Sequence, residues 1–219
     1  IVGSGPNSVI LHYERDDRKM NAGEMIVNDS ACEYGMYAAD VTRSYPVSGT
    51  FSPEQRAIYE IVLAAQKAGF AKVRPGAAFH EVHDATVEVV TDGLLRLGIL
   101  KGDRNELIRT VAYAKFYPHG SSHWLGMNVH DVGSYQFSNP DAPRLERYRT
   151  AETKLEPGMA LTVEPGIYIR DHAEGVDPKW WNIGVRIEDD VLVTPSGMDC
   201  LSCAAPREPG EVEKTIRGR

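Results

Sequence analysis

The chain of 219 residues has no long apolar run that could anchor it in a membrane. Its longest unbroken apolar stretch is five residues, from Ile61 to Ala65, whereas a membrane-spanning helix needs about 20. We therefore expect no membrane partner. Apolar residues make up 42% and charged residues 25% of the chain, which excludes a disordered or collagen-like protein and indicates a globular one.

Positive charge is also in short supply. The chain has 24 Lys and Arg against 31 Asp and Glu, a net charge of -7, and its basic residues are scattered along the sequence. A protein that binds nucleic acid concentrates Lys and Arg on one surface, because phosphates supply most of the affinity. We therefore expect no nucleic-acid partner.

The three cysteines are too few, and odd in number, for a disulfide framework. Their scarcity favours a reducing compartment and a cytoplasmic location. Cys200 and Cys203 have the spacing of half a zinc site or of a redox pair, but a second CxxC is missing from the sequence. The preferred interpretation is that both are small residues near the end of the fold.

Capping signals and apolar spacing predict where the helices begin. Short strand-like runs come first, at Val9 to Tyr13 and Met25 to Val27. Ser52 is a typical helix N-cap, with proline next and Gln55 placed to complete a capping box. This helix is predicted to end at Arg74 to Gly76. A second helix is predicted from about Phe79 to Leu97, and a short third one from Asp103.

The last part of the chain returns to strands. The predicted strands are Leu161 to Val163, Ile167 to Ile169, Ile183 to Ile187 and Val191 to Val193. Strands on both sides of a helical block predict an α+β fold, with helices packed on one face of a curved antiparallel sheet. The polar stretch from Ser134 to Lys154 is interpreted as a long surface loop.

Four carboxylates lie next to apolar strands. They are Asp29, Asp40, Glu164 and Glu188. A buried carboxylate must be paired with a cation or bound to a metal ion. A surface acid or a turn cap would explain any one of them alone, whereas four in such positions favour a common site.

Histidine adds a neutral ligand to this set. Three of the seven histidines, His119, His123 and His130, fall within twelve residues. Pro118 and Gly120 argue against a helix here, and so against a helical zinc pair. Four carboxylates and an imidazole, without cysteine, favour two ions of Mn, Co, Fe or Zn. Two such ions can hold a water that ionises near pH 7, which is the chemistry of hydrolysis.

The five residues and their surroundings resemble a known family. The phrases are ADVTRSYPVSGTFS, HGSSHWLGMNVHDVG, LEPGMALTVEPGIY and GVRIEDDVLVT. They are similar to the catalytic domain of the Xaa-Pro aminopeptidases, or aminopeptidase P, within the pita-bread metallopeptidases that include prolidase and methionine aminopeptidase. The resemblance runs from Ile1 to at least Thr194. It implies a pita-bread fold for one catalytic domain, residues 1–219, which lacks the start of the domain and the family's N-terminal domain.

The resemblance also implies a set of metal ligands. Asp29 would bind one ion, and Asp40 and Glu188 would bridge the two. His123 and Glu164 would bind the other. The expected cofactors are two divalent metal ions, manganese first, with cobalt or zinc as alternatives.

Further residues acquire roles from the same resemblance. His130 would contact the substrate carbonyl and the developing oxyanion, and His119 would help to hold the proline end of the scissile bond. His12 matches a position near the substrate pocket. Arg186 would orient the acids and lower their pKa values. Glu164 would also carry a proton to the leaving nitrogen.

The function implied is that of a metal-dependent aminopeptidase. It would hydrolyse the bond between an N-terminal residue and a following proline, with peptides that have proline in second position as substrates, and the full-length protein would be a homo-oligomer. One alternative is a prolidase, which cleaves Xaa-Pro dipeptides; the SHWLG phrase favours aminopeptidase P. The other is a catalytically silent binding relative or a truncated fragment.

Overall fold

The computed structural model describes residues 1–218, which form ten strands and five α-helices. The strands are β1 (Val2–Ser4), β2 (Met25–Asp29), β3 (Glu33–Tyr34), β4 (Tyr37–Ala38), β5 (Thr42–Pro46), β6 (Ala160–Val163), β7 (Gly166–Ile169), β8 (Ile183–Arg186), β9 (Asp189–Thr194) and β10 (Gly197–Cys200). The helices are α1 (Pro53–Phe70), α2 (Phe79–Arg96), α3 (Arg104–Arg109), α4 (Arg144–Tyr148) and α5 (Pro209–Arg217).

The paired strands are all antiparallel in the part of the chain that the structure describes. One sheet has the order β1-β2-β5 and another the order β10-β9-β6, while β7 pairs with β8 and β3 with β4. A bridge between Thr42 and Glu188 links the end of β2-β5 to the stretch between β8 and β9. The predicted α+β class is confirmed, because helices α1 and α2 lie between these two groups of strands in sequence and α1 packs on β6, β7 and β8.

Helix α1 begins where the sequence predicts. The Ser52 hydroxyl accepts a hydrogen bond from the Gln55 N–H at 3.2 Å, and the Gln55 side chain accepts one from the Ser52 N–H at 2.9 Å. The helix ends at Phe70, several residues before the predicted stop at Arg74 to Gly76. The chain turns early because the next residues tighten into bonds such as Val73 N–H to the Phe70 carbonyl, which buries Val73.

Two apolar clusters hold the elements together. The larger lies between α1, α2 and the β7-β8 pair, and its fully buried residues include Ile58, Leu94 and Ile167. The smaller lies beneath β6 and β9, around Phe79 and Trp124. Each cluster includes strand residues that come shortly before an acidic one, since Glu164 follows β6 directly and Glu188 lies two residues after β8.

The stretch Val9 to Tyr13 is not a strand, contrary to prediction. Residues Gly5–Val9 form a short 3-10 helix, followed by a turn. The Ser8 hydroxyl donates to the Gly5 carbonyl at 2.7 Å and accepts from the Gly184 N–H at 3.0 Å. A local side-chain bond of this kind satisfies the backbone without a strand partner, so apolar alternation was misleading.

The segment 134–154 is more than a surface loop. It contains helix α4, and a bridge between Phe137 and Ala151 closes it into an arch. Tyr135 and Tyr148 pack against the smaller apolar cluster. Most of the segment is irregular and exposed, as predicted, but the prediction missed α4 and this packing because aromatic residues spaced through a polar stretch show no period.

Cys200 and Cys203 form a disulfide, while Cys32 is free and exposed. The preferred interpretation, that the pair are merely small residues near the end of the fold, is therefore corrected. Of the residues described, no helix combines the length and the apolar character needed to cross a membrane.

A glycine in α2 sets the approach of α1. A Cβ built on Gly93 would lie 2.6 to 2.7 Å from three carbons of the Ile61 side chain, which is buried and β-branched. We expect Gly93→Ala to lower the free energy of unfolding by about 1 to 2 kcal/mol, because overpacking exceeds the gain of about 1 kcal/mol in helix propensity. Urea denaturation measures the free energy of unfolding of the variant and of the unchanged protein. The double variant with Ile61→Ala should lose less than the sum of the single changes, and strict additivity would contradict the contact.

A buried histidine makes stability depend on pH. His83 points from α2 into the interior, where its Nδ1 lies 2.7 Å from the Ser121 hydroxyl, and burial lowers its pKa to about 4. The folded protein keeps this ring neutral, whereas the unfolded chain takes up a proton near pH 6.5. Folding stability is thus lost as the pH falls below about 6.5.

Between pH 7 and pH 5 this single group should cost about 2 kcal/mol of stability. We expect His83→Asn to lose about that much less than the unchanged protein over the same interval. Urea denaturation at both pH values provides the comparison. Equal losses in the two proteins would show that His83 is protonated when folded.

Candidate metal centre

The acidic residues reach one pocket from the ends of different strands. Asp29 is the last residue of β2, and Asp40 lies between β4 and β5. Glu164 follows β6 directly, and Glu188 lies between β8 and β9. His123 stands beside β6, where its carbonyl accepts a hydrogen bond from the Thr162 N–H at 3.0 Å. Strand pairing therefore gathers residues that are up to 159 positions apart, between 29 and 188.

Ligand atoms in the pocket fall into overlapping groups. One oxygen from each of Asp29, Asp40 and Glu188 lies within 4.8 Å of the others, and so do atoms of His123, Glu164 and Glu188. A further group joins Asp40 and His123 to His130. Glu188 belongs to the first two groups. Such an arrangement can hold two cations with a shared carboxylate.

The imidazole of His123 is aimed into this cluster. Its Nδ1 donates to the Trp124 carbonyl at 3.0 Å, which leaves Nε2 facing the acids. Nε2 lies 3.3 Å from an Asp40 oxygen and 3.6 Å from a Glu164 oxygen. A backbone bond of this kind fixes the tautomer and the ring orientation of metal-binding histidines.

Glu164 and Glu188 lie side by side, with the Glu188 side chain 2% exposed and that of Glu164 17% exposed. Desolvation raises the pKa of each well above its usual value, and the negative charge of Glu188 adds to the effect on Glu164. Burial also raises the pKa of Asp29. Glu188 Oε1 is buried and has no hydrogen-bond partner within residues 1–218. These residues fit divalent cations, which would compensate the buried charge and occupy the free oxygen.

Arg186 is the one guanidinium that penetrates the acids among the residues described. Its Nη2 donates to Asp29 Oδ2 at 2.6 Å, and its Nε donates to the Thr42 hydroxyl at 3.1 Å. Thr42 in turn donates to Glu188 Oε2 at 2.6 Å. The side chain is 4% exposed, so its positive charge lies inside the fold. Through these hydrogen bonds Arg186 contacts Asp29 directly and Glu188 through Thr42, and its orienting role stays a prediction.

A chain of hydrogen bonds runs from Arg186 to His119. Arg186 Nη1 donates to the Tyr168 hydroxyl at 3.1 Å, and that hydroxyl lies 2.8 Å from His119 Nε2. His119 Nδ1 donates to the Gly120 carbonyl at 2.7 Å, so Nε2 accepts from Tyr168. Burial, together with the charge of Arg186, lowers the pKa of His119 to about 3. His119 is therefore a neutral ring at neutral pH.

The two remaining histidines lie at the pocket mouth. The His130 ring stands edge to face with His123, with 4.4 Å between centroids, and stacks on His12 at 6.3 Å. Partial burial lowers the pKa of His130, and the nearby His123 adds to this effect. Both rings are accessible to a ligand that enters the pocket.

The pocket has a volume of about 290 Å³. All nine residues proposed from the sequence line it: His12, Asp29, Asp40, His119, His123, His130, Glu164, Arg186 and Glu188. The structure thus brings the whole set together, while the role of each residue stays a prediction.

Sequence analysis missed several residues of this site. Tyr135, Arg144 and Tyr148 line the pocket and come from the segment 134–154. Tyr168 was also missed, although a tyrosine between two isoleucines in a buried strand needs a partner for its hydroxyl and was a usable signal. No local pattern distinguishes Arg144 from the other arginines of that segment.

A second layer of acids supports the first. The Asp190 carboxylate accepts from the Asp40 N–H at 3.1 Å, and burial raises the pKa of Asp190 to about 6. Asp189 points the other way and is fully buried, where it pairs with Arg43 at 2.7 Å and Arg207 at 3.1 Å. Asp189 and Asp190 therefore lie on opposite faces of β9.

Two curated relatives of this chain carry the names of peptidases. The chain is 46% identical over 216 residues to the Xaa-Pro aminopeptidase of Haemophilus influenzae, a match that covers 99% of this chain and 47% of the relative. It is 38% identical over 240 residues to the human Xaa-Pro dipeptidase, covering 100% of this chain and 48% of that protein. The chain spans about half the length of the curated relatives it matches.

Solved structures agree on the architecture. The aminopeptidase PepP of Pseudomonas aeruginosa superposes with a TM-score of 0.92 at 48% identity, over 100% of this chain and 47% of that one. This match confirms the predicted pita-bread fold. The sequence profile of metallopeptidase family M24 covers residues 1–195, and the chain belongs to that family.

Proposed function

We propose that residues 1–219 are the catalytic domain of a metal-dependent Xaa-Pro aminopeptidase, which hydrolyses the bond between an N-terminal residue and a following proline. The observation that carries this proposal is the cluster of four carboxylates and one imidazole that share Glu188 between two groups. Relatives named Xaa-Pro aminopeptidase, such as that of Escherichia coli at 45% identity, support the same activity.

In this proposal the metal site takes two divalent ions. Asp29 would help to hold one ion, His123 and Glu164 would help to hold the other, and Asp40 and Glu188 would contribute to both. Manganese is the expected metal, with cobalt or zinc as alternatives, because oxygen-rich sites accept each of them. When bound, such ions supply a Lewis acid and a water that ionises near neutral pH.

The protein's own groups position the substrate and move the proton. His130, at the mouth, donates to the carbonyl oxygen of the scissile bond and to the oxyanion that develops there. Glu164 would carry a proton to the leaving nitrogen, the role that the family resemblance implies. Its Oε2 lies 3.6 Å from His119 Nδ1, so proton donor and proline-side ring are adjacent. His12 extends the same wall outward.

The walls of the pocket support a preference for proline in second position. An Xaa-Pro bond has no N–H, so a site that recognises this donor cannot select it. Here the rings of Tyr148 and His119 offer flat apolar surfaces without requiring an amide hydrogen. We also propose a cytoplasmic location and a homo-oligomeric full-length protein, for which the scarcity of cysteine and the family resemblance are the support.

The direct test is peptide hydrolysis by the manganese-loaded protein. A tripeptide with proline in second position should release its first residue, whereas the same peptide with alanine there should not. Glu188→Gln should abolish the activity and release manganese, because it removes the charge shared by both groups. Glu60→Gln, an exposed change of the same kind on α1, should leave both unchanged. Mass spectrometry of products and metal analysis measure the outcome.

Different results would select an alternative. Cleavage of an Xaa-Pro dipeptide but of no longer peptide would indicate a prolidase. A protein that binds no metal and cleaves neither substrate would indicate a silent binding relative or a fragment that needs the rest of its chain.

Arg144 is expected to favour substrates with a free carboxylate. It is exposed at the rim of the pocket, and its charge contributes to the lowered pKa values of His119 and His130, so it stands on the proposed proline side. We expect Arg144→Ala to raise the KM of a Xaa-Pro dipeptide by about fivefold, the value of an exposed ion pair near 1 kcal/mol.

The amide of the same dipeptide and an Arg147→Ala variant provide the controls. Arg147 lies on the same helix, but its guanidinium stacks on Phe137, 5.2 Å from the ring centroid. Steady-state kinetics should show the increase in KM only when Arg144→Ala acts on the free acid. The amide with Arg144→Ala, and both substrates with Arg147→Ala, should keep the KM of the unchanged protein. An equal increase for acid and amide would contradict a role in carboxylate binding.

A further inference from the structure

The Cys200–Cys203 disulfide closes a tight turn at the end of β10. Both cysteines are partly exposed. Cys203 also lines an open groove of about 660 Å³ that runs along Arg207 and α5. The sulfur atoms are therefore within reach of a reagent in solution, unlike those of a disulfide sealed in a core.

Hydrogen bonds join this turn to β9, the strand that directly follows Glu188. The Ser202 hydroxyl, between the two cysteines, donates to Asp189 Oδ1 at 2.7 Å and accepts from the Asp190 N–H at 2.9 Å. The Leu201 N–H donates to the Asp190 carbonyl at 2.8 Å. Asp190 then accepts from the Asp40 N–H through its carboxylate. A path of two hydrogen bonds, from the turn to Asp190 and from Asp190 to Asp40, thus joins the disulfide turn to the backbone of Asp40.

Arg207 connects the sulfur atoms to the same strand. Its Nη1 contacts Cys203 Sγ and lies 3.1 Å from Asp189 Oδ2, while its guanidinium covers the Phe70 ring. A guanidinium beside a sulfur stabilises that sulfur as a thiolate. Cys203 is therefore the better leaving group of the pair, because the rate of thiol exchange rises with the stability of the departing thiolate.

We propose that Cys200–Cys203 is a reversible dithiol–disulfide site that exchanges with an external dithiol and whose oxidation state sets how firmly Asp190 supports Asp40. Disulfides in reducing compartments are typically transient or redox-sensing. An accessible pair with a built-in thiolate partner, joined to a functional centre, matches that use.

The exchange balances as two thiol–disulfide steps. A thiolate of the external dithiol attacks Cys200 Sγ, which forms a mixed disulfide and releases Cys203 as a thiolate beside Arg207. The second thiol of the reagent, as thiolate, then attacks the reagent's own sulfur and releases Cys200 as a thiolate, which takes up a proton. The protein gains two electrons and the external dithiol becomes a cyclic disulfide.

Reduction has a structural consequence. The turn loses its covalent closure, and the Cys203 thiolate competes with Asp189 for Arg207. Asp189 has no exposed surface, so it depends on these partners to compensate its charge. Ser202 and Asp190 are then held less firmly, and with them the backbone at Asp40. The oxidised form is the one with the better supported centre.

Thiol counting tests the exchange itself. Cys32 is exposed and would react, so the experiment uses the Cys32→Ser chain. After oxidation with diamide we expect no iodoacetamide label, and after reduction with dithiothreitol two labels per chain, reversibly over repeated cycles. Two labels after oxidation, or a reduced form that cannot be reoxidised, would overturn the proposal.

Thermal unfolding and manganese affinity test the coupling. We expect reduction to lower Tm by about 4 to 8 °C, from the entropy of a four-residue loop in a chain of this size. We also expect it to weaken manganese binding by about tenfold, as the loss of a supporting partner does. The variant that adds Cys200→Ser and Cys203→Ser should respond to neither reagent. Equal Tm and equal manganese affinity in both redox states would refute the coupling.

Two arginine variants test the role of Arg207. Arg207→Gln should slow reduction by dithiothreitol about tenfold, because the leaving thiolate loses its partner. Arg43→Gln also removes a cation from Asp189, but Arg43 binds its other side and does not contact sulfur, so the rate should be unchanged. Equal rates in all three proteins would contradict the assignment of Cys203 as leaving group. Thiol counting, Tm and the rate of reduction need neither a peptide substrate nor a metal ion, so their failure is distinguishable from failure of the peptidase proposal.

Discussion

Burial of like charge is the constraint on which this structure depends. Glu188 is buried beside the half-buried Glu164, and the charge of Glu188 makes the ionised state of Glu164 less favourable, while Asp40 does the same to Glu188. A fold can keep such a pair only if positive charge is provided from within. Arg186 supplies one such charge, but it reaches Asp29 and the hydroxyl of Thr42 more closely than it reaches Glu188, at 3.9 Å. The remaining charge is what divalent cations would compensate.

The surrounding elements meet this constraint in layers. Each acid stands at a strand end or within two residues of one, where the backbone leaves the ladder and the side chain can turn inward. Behind the first acids, Asp190 accepts from the backbone of Asp40, and Asp189 is held from the other side by arginines and by the turn that contains Ser202. The centre is thus joined to the C-terminal part of the fold by hydrogen bonds. That connection gives the cysteine pair a route to the site.

Local physics explains which sequence predictions succeeded. The start of α1 at Ser52 and the strands after residue 160 depend on neighbours within four residues, so caps and apolar periods are sufficient to locate them. Predictions failed where distant contacts decide. Val9 to Tyr13 alternates like a strand but is bent by the bond between Ser8 and Gly184, and the segment 134–154 is ordered by rings that meet only after folding.

The sequence by itself determined the α+β class, the type of each long element and the identity of nine residues that share the pocket. Apolar periods, helix caps and family motifs are signals that lie within short stretches of the chain, so they can be recognised without the fold. Only the tertiary structure decided that Arg186 reaches His119 through Tyr168, that Arg144 comes to the pocket rim, and that Cys200 pairs with Cys203 beside Arg207. The physical reason is that strand register and the closure of long segments set these distances, and both depend on contacts between residues far apart in the chain.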